Sequence, residues 1–356
     1  MKPPKINRYG SFALGPKRDA CIDCLQGKKM VIFITGICNK HCFYCPVSDE
    51  KMRRDNPFAN ERPLRNGHEI EDLRDEAHAM NATGASITGG DPLTKIDRCV
   101  EYITALKKEF GPTFHIHLYT WGTFATPENV KKLEKAGLDE IRFHLFKDPD
   151  FDRILPALKT KMQVTVEVPC IPTKENEKEL FEMVEYMKHH RLKYLNLNEL
   201  EFSDANFDRL LDTGFKQAND IEYRAKGSLQ LAFRVADRCR PEINVNFCSS
   251  ANKSFLQIGQ RMKRRAENTK KPFENVNSDG MIEKYAVEGP GLTQALAEKI
   301  VSQYGKMIRY NPVKKRLETN EQNAKKIAKK YHLLVAFILE MPAFEPWDVE
   351  KIPLNA

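Results

Sequence analysis

The residues best suited to chemistry are three cysteines on one short stretch, Cys38, Cys42 and Cys45, in the sequence CNKHCFYC. Thiolates are the usual ligands of iron–sulfur clusters, and three of them can hold three irons of a [4Fe–4S] cube while the fourth iron stays open. A structural zinc site needs four ligands, and this stretch supplies three thiols. The spacing therefore favours a [4Fe–4S] site over zinc and over three unrelated buried cysteines.

A second motif consists of Gly89, Gly90, Asp91 and Pro92, which follow a short apolar run. Two glycines at the end of a strand remove Cβ atoms, so that a ligand can approach the backbone closely. Taken alone, the same four residues are also typical of an ordinary turn. A ligand site is favoured if the turn lies at the same edge of a sheet as the three cysteines.

Four further cysteines form a second candidate metal site. Cys21 and Cys24 have the C-x2-C spacing that is common in half-sites for zinc or iron–sulfur clusters. Cys239 and Cys248 could complete a four-thiolate site if their segment folds back against the N-terminal one. We expect structural zinc or an auxiliary cluster there, and two unlinked reduced pairs are the alternative.

The elements that must position these residues are alternating strands and helices. Apolar, β-branched runs predict strands at 31–36, 84–88, 114–120, 138–146, 162–169 and 193–199. Amphipathic segments between them, one of them at 149–158, predict helices. Such βα units in series imply a parallel sheet with right-handed crossovers. An eight-stranded barrel usually needs about 250 residues, so we predict an α/β fold with a partial (β/α)6 barrel.

The remaining chain is predicted to form smaller parts around this core. We expect an N-terminal segment at 1–30 with the C-x2-C pair, the core at 31–202, a metal-binding and basic extension at 203–275, and a small α+β region at 276–356. Within the extension, residues 229–248 are predicted to form a β-hairpin or paired strands.

Length and composition are typical of a folded enzyme-sized protein. The chain has 356 residues, 41% hydrophobic residues and a formal net charge of +8. The N-terminus has no apolar segment of the kind found in signal peptides, and the longest apolar run, at 333–339, is too short to span a bilayer. We therefore expect a soluble, cytoplasmic protein without membrane association, whose closely spaced cysteines bind metal rather than form disulfides.

The motifs resemble those of the radical SAM superfamily. Cys38, Cys42 and Cys45 match its three-cysteine motif, with aromatic Tyr44 just before the last cysteine, and the 89–92 turn is similar to its Gly-Gly-Glu-Pro turn with Asp for Glu. More narrowly, the chain is similar to a largely archaeal group related to the activating enzymes of pyruvate formate-lyase. The superfamily resemblance covers about residues 28–202.

The resemblance implies a cofactor pair and a reaction. The open iron of the cluster would bind S-adenosylmethionine (SAM), and the reduced cluster would cleave it to a 5′-deoxyadenosyl radical that abstracts hydrogen from an unidentified substrate. Activation of a glycyl-radical enzyme and modification of an RNA nucleoside are the two leading reactions. An electron donor such as ferredoxin or flavodoxin is the implied partner, and Tyr44 with residues 89–92 are candidates for contact with SAM.

Polar side chains at other strand ends are further candidates for binding the cofactor. Inward-facing polar groups must find partners, which SAM or an internal hydrogen-bond network would supply. These candidates are Thr120, His144, Glu167, Asn196 and Asn198.

Positive charge is concentrated in the C-terminal third. Residues 251–275 carry 7 basic and 2 acidic side chains, and residues 305–330 carry 9 basic and 2 acidic ones. This charge could bind tRNA in a salt-dependent way, or it could belong to solvated helix faces. The alternative function is therefore a non-catalytic, metal-stabilised nucleic-acid-binding protein. An electron carrier would not need a chain of this length.

Overall fold

The computed structural model describes residues 4–17, 19–145, 147, 150–219 and 223–354. The ends of the predicted segments at 138–146 and 149–158, residues 146 and 149, lie outside the described residues. The chain divides into two compact units, one made of 1–77 and 82–258 and the other of 78–81 and 259–356. Residues 203–258 therefore belong to the same unit as the predicted core.

The described part of the first unit contains strands β1 (Phe12–Leu14), β2 (Lys29–Phe33), β3 (Phe58–Ala59), β4 (Arg62–Pro63), β5 (Gly84–Thr88), β6 (His115–Thr120), β7 (Glu140–Phe143), β8 (Gln163–Cys170), β9 (Tyr194–Glu199) and β10 (Asn244–Cys248). Its helices are α1 (Asp19–Leu25), α2 (Glu69–Ala79), α3 (Ile96–Phe110), α4 (Pro127–Ala136), α5 (Lys174–His189), α6 (Phe207–Asp212) and α7 (Ser228–Cys239).

These strands form one open sheet in the order β1-β10-β9-β8-β7-β6-β5-β2-β3-β4. Strands β2 and β5 to β10 pair in parallel, whereas β1, β3 and β4 pair antiparallel at the two edges. The predicted α/β class and parallel sheet are confirmed, with one strand more than predicted. Because all these parallel strands point the same way, their carboxyl ends lie along one edge of the sheet.

The added strand corrects the prediction for residues 229–248. This segment is helix α7 followed by parallel strand β10, which pairs with β9, and it is not a hairpin. In α7 the buried residues follow the 3.6-residue period of a helix rather than the period of two of a strand. They are Ser228, Leu231, Ala232, Val235, Ala236 and Cys239.

The second unit contains α8 (Gly259–Thr269), β11 (Asn275–Val276), β12 (Ile282–Glu288), α9 (Gln294–Tyr304), β13 (Ile308–Asn311), β14 (Arg316–Thr319), α10 (Glu321–Tyr331), β15 (Leu334–Glu340) and β16 (Asp348–Leu354). Its antiparallel sheet has the order β13-β14-β12-β15-β16, with β11 beside β12. An apolar core joins this sheet to α9 and α10 and includes Val287, Ile300, Leu317 and Ile327. No helix in the described ranges combines the length and apolarity needed to cross a membrane.

Candidate functional site

The loop with the three cysteines leaves the carboxyl end of β2 and is held against the end of β5 by backbone hydrogen bonds. The amide of Gly90 donates to the carbonyl of Thr35 (2.7 Å), and the amide of Asp91 donates to that of Ile37 (2.9 Å). A Cβ atom on Gly90 would lie 2.4 Å from the Ile37 oxygen and 2.9 Å from Cβ of Cys38. The glycine is therefore required so that the two backbones can approach, directly beside the first cysteine.

A second support comes from the chain just after β9. The guanidinium of Arg209, in α6, donates to the carbonyl oxygens of Phe43 (3.1 Å) and Cys45 (3.2 Å). The side-chain amide of Asn206 donates to the carbonyl of Tyr44 (2.9 Å). These side chains bind the cysteine loop through its backbone, and nothing in their sequence pattern indicated that role.

A third support joins the loop to the neighbouring strands through Tyr44 and His144. Nδ1 of His144 is 3.0 Å from the backbone oxygen of Glu167, which can only accept, so Nδ1 carries the proton. Nε2 then accepts from the hydroxyl of Tyr44 at 2.9 Å. Burial lowers the pKa of His144 to about 4, which favours the same neutral form. The ring of Trp121 packs edge-on against the imidazole, with 4.4 Å between centroids.

The carboxylate of Glu167 is held by three donors. Arg142 donates from Nη1 at 2.9 Å and Asn196 at 2.8 Å to one oxygen, and Asn198 donates at 2.9 Å to the other. Three predicted residues are thus brought together as one hydrogen-bonded group, on β8 and β9. A carboxylate held by three donors, one of them a guanidinium, forms a rigid polar wall.

Asp91 and Thr120 form a pair beneath the glycine turn. The fully buried carboxylate of Asp91 accepts from the Thr120 hydroxyl (2.8 Å) and from the amide of Leu93 (3.2 Å). Burial raises the pKa of Asp91 above its usual value. Asp91 was predicted as a member of the cofactor-binding turn, and that contact stays a prediction; its side chain holds the turn and Thr120 in position.

A cavity of about 300 Å³ lies at this edge of the sheet. It brings most of the predicted site residues together with Glu199, a further polar residue at the end of β9, and with Glu201 and Lys253, which the sequence did not single out. The predicted residues that line it are Cys42, Tyr44, Cys45, Gly89, Gly90, Pro92, Thr120, His144, Glu167 and Asn198. Asn196 lines a neighbouring cavity.

The thiols fit a cluster that supplies positive charge. Cys38, Cys42 and Cys45 are half-buried, and burial raises the pKa of Cys42 to about 11 and that of Cys38 above its usual value. Buried thiolates are thus stabilised when metal ions compensate their charge. Among the described residues, the three ligand atoms of His115, His117 and Glu140 all lie within 4.8 Å of one another, and those of the three cysteines do not. The three thiols are therefore spread more widely than ligands of one ion, as suits a multi-iron cluster.

The second cysteine set is only partly assembled. Cys21, Cys24 and Cys248 line one cavity inside the first unit. Cys239 ends α7, where the charged groups that act on its thiol are Lys188, Glu242 and Glu185 rather than another member of the set. The predicted four-thiolate site is wrong in this respect, because the fourth cysteine lies on the helix layer outside the sheet.

Comparisons with known proteins agree with this geometry. Residues 32–198 match the family model of the radical SAM superfamily. A protein of Methanocaldococcus jannaschii, named provisionally as a glycyl-radical enzyme activating enzyme, is 36% identical over 294 residues, covering 79% of this chain and 76% of the relative. A protein of Saccharolobus islandicus, named provisionally as a GTP 3′,8-cyclase, is 24% identical over 264 residues, covering 65% of this chain and 80% of the relative.

Among solved structures, Streptococcus suis SuiB bound to S-adenosylmethionine matches with a TM-score of 0.43 and 13% identity. The match covers 63% of this chain and 50% of SuiB, so the chain spans about half the length of that neighbour.

Proposed function

The chain belongs to the radical SAM superfamily, and we propose that Cys38, Cys42 and Cys45 hold a [4Fe–4S] cluster that cleaves SAM bound in the adjacent cavity. The observation that carries this proposal is the contact between the Cys38 segment and Gly90, which sets the thiols and the glycine turn beside one cavity of about 300 Å³. When bound, the reduced cluster and SAM supply the radical that abstracts hydrogen.

The chain's own residues hold the cysteine loop in position and set the charge at the wall of the cavity. Gly90 and Arg209 fix the loop through its backbone, so that the thiols are already arranged before iron binds. Neutral His144 holds Tyr44 and adds no positive charge to the cavity. Glu167, whose carboxylate is ion-paired with Arg142, would offer bound SAM a fixed polar group at the wall of the cavity.

For the substrate, we propose a glycine residue of a partner enzyme, from whose Cα a hydrogen atom is removed. The support is the relative with 36% identity, whose name is that of an activating enzyme of this kind. The C–H bond breaks homolytically, so that 5′-deoxyadenosine and a glycyl radical are the products. The electron would come from an acidic carrier such as ferredoxin or flavodoxin, for which a chain of net charge +8 is suited.

RNA modification is the second candidate, supported by four exposed lysines on α10: Lys325, Lys326, Lys329 and Lys330. Two other basic residues of this region are engaged inside the second unit. Lys314 bonds Asp348 at 2.7 Å, and buried Arg316 bonds Glu318 at 2.9 Å. We therefore propose that tRNA binding would depend on α10 and weaken with salt.

The first experiment measures 5′-deoxyadenosine after anaerobic reconstitution with iron and sulfide and addition of SAM and dithionite. We expect product from the wild type and none from Cys42→Ala. Cys239→Ala is the matched control, because Cys239 is a fully buried thiol on α7 that does not line this cavity. A wild type that carries an intact cluster and forms no product would overturn the proposal.

The second experiment identifies the hydrogen donor. Proteins from source cells grown on glycine deuterated at Cα are added to the reaction, and 5′-deoxyadenosine is examined by mass spectrometry. Deuterium in the product supports the glycyl assignment. Product without deuterium that increases when unlabelled tRNA is added contradicts it and favours RNA.

A further inference from the structure

Three cysteine thiols outside the proposed active site converge on one cavity of about 230 Å³. Helix α1 contributes Cys21 and Cys24, and it packs against the short π-helix Asn252–Ile258 that follows β10. Cys248 is the last residue of β10. The chain thus brings a local C-x2-C pair to a third thiol that lies more than two hundred positions away in the sequence.

The cavity is larger than a single ion requires and has polar walls. One water occupies about 30 Å³ in the liquid, so the volume suits a multi-atom group. The side chains of Gln257 and Asn252 donate to Sγ of Cys248, at 3.1 and 3.8 Å. Arg142 and Lys253 also line the cavity and offer positive charge. Amide donors to sulfur and nearby cations both stabilise an anionic thiolate cluster.

The spacing of the thiols argues against a single zinc ion. In a zinc site, the ligand atoms surround one ion at about 2.3 Å each. The Sγ atoms of Cys21, Cys24 and Cys248 do not all lie within 4.8 Å of one another. Among the described residues, the set that meets this limit is His115, His117 and Glu140. Thiolates that bind different irons of a cube stand further apart than thiolates on one ion, as in the loop of Cys38.

We propose that Cys21, Cys24 and Cys248 hold a second [4Fe–4S] cluster, with one iron left without a thiolate from this set. The cavity shares Glu167, Asn198 and Lys253 with the cavity proposed for SAM. The second cluster is therefore separated from the first site by a single layer of side chains. It goes beyond the superfamily's three-cysteine motif, because none of its ligands belongs to that motif.

The test uses the full chain with the first site removed, as Cys38→Ala/Cys42→Ala/Cys45→Ala. After anaerobic reconstitution and desalting, we expect about four irons and about four sulfides per chain, and an EPR signal on reduction. A folded triple variant, judged by circular dichroism, that retains no iron or sulfide overturns the proposal. Retention of zinc without sulfide overturns it as well.

Variants added to this background assign the ligands. Cys248→Ser should lower the iron content at least several-fold and remove the EPR signal, whereas Cys239→Ser, a buried thiol on α7, should leave both unchanged. If Cys248→Ser unfolds the chain, the metal count of the triple variant alone still decides the question. Because that variant cannot load the first cluster, the result is independent of whether the wild type cleaves SAM.

Discussion

Replacing Gly90 by alanine tests whether the cysteine loop depends on close backbone packing. The new Cβ would lie 2.4 Å from the carbonyl oxygen of Ile37, and real Cβ atoms essentially never come closer than 3.0 Å to such an atom. The two segments must therefore separate by about 0.6 Å, the difference between these distances. The neighbouring atom is backbone, so no side-chain rotation can relieve the contact.

The expected cost follows from three contributions. Overpacking of this kind costs about 1–3 kcal/mol, and loss of the Asp91–Ile37 hydrogen bond costs about 1 kcal/mol. Alanine also restricts the conformations of the unfolded chain, which offsets about 0.4–1 kcal/mol of this cost. We expect Gly90→Ala to lower the free energy of unfolding by about 1–3.5 kcal/mol. Because Cys38 follows Ile37 directly, we also expect a clear loss of iron after reconstitution.

Urea denaturation of the metal-free protein measures the first effect, and the iron count of the reconstituted protein measures the second. Gly291→Ala is the matched control, since its Cβ would meet its nearest atom, in Leu333, at 3.6 Å. The control should change stability by less than about 0.5 kcal/mol and leave the iron content intact. A Gly90→Ala protein with wild-type stability and full iron would refute the reasoning.

Three further predictions concern other supports. Arg209→Ala should increase the rate at which a chelator removes the cluster. Arg209→Lys should give an intermediate rate, because lysine lacks the forked guanidinium that reaches two carbonyls. Equal rates for the wild type and both variants would contradict this. The pKa of His144 falls from 6.5 to about 4 on folding, so its contribution to stability is complete above pH 6.5 and is lost as the pH falls to 4. Urea titrations of the metal-free protein should show a loss of stability of up to about 3 kcal/mol over this pH range. The loss should be absent from His144→Gln and present in Tyr44→Phe. Lys284→Met removes the cation that joins the buried carboxylates of Glu274, Glu318 and Glu340, although Glu318 keeps Arg316 and Glu340 keeps Lys314. It should cost about 3–5 kcal/mol, whereas exposed Lys325→Met should change thermal unfolding little; equal effects would count against the buried-charge argument.

The sequence was sufficient for the features that depend on local spacing. The C-x3-C-x2-C loop, the glycine turn and the six strand candidates are all encoded within short windows, because strand propensity and burial are local signals when both faces of a sheet are covered. The short, polar strand β10, with the sequence NVNFC, lacked that signal. Its parallel pairing to β9 depends on the complete fold.

The separation of Cys239 from Cys248 has a geometric origin. Cys239 ends the helix that precedes β10, and Cys248 is the last residue of that strand. A strand rises about 3.3 Å per residue, so the length of β10 alone places the two thiols near opposite ends of the sheet. The short separation of Cys239 and Cys248 in the sequence suggested that they share one site. The strand between them carries Cys248 away from Cys239 and prevents this.

The residues that bind the backbone of the cysteine loop were not predicted from the sequence, for a different reason. Arg209 and Asn206 bind backbone carbonyls more than 160 positions away, and any residue type offers the same carbonyl, so no pattern in the loop identifies its partner. The loop consequently has three separate supports: the β5 turn, the α6 side chains and the Tyr44–His144 bond. Loss of one side-chain support leaves two in place and should weaken cluster binding by degrees. A change at Gly90 moves the backbone itself, and the remaining supports cannot return the thiols to their positions.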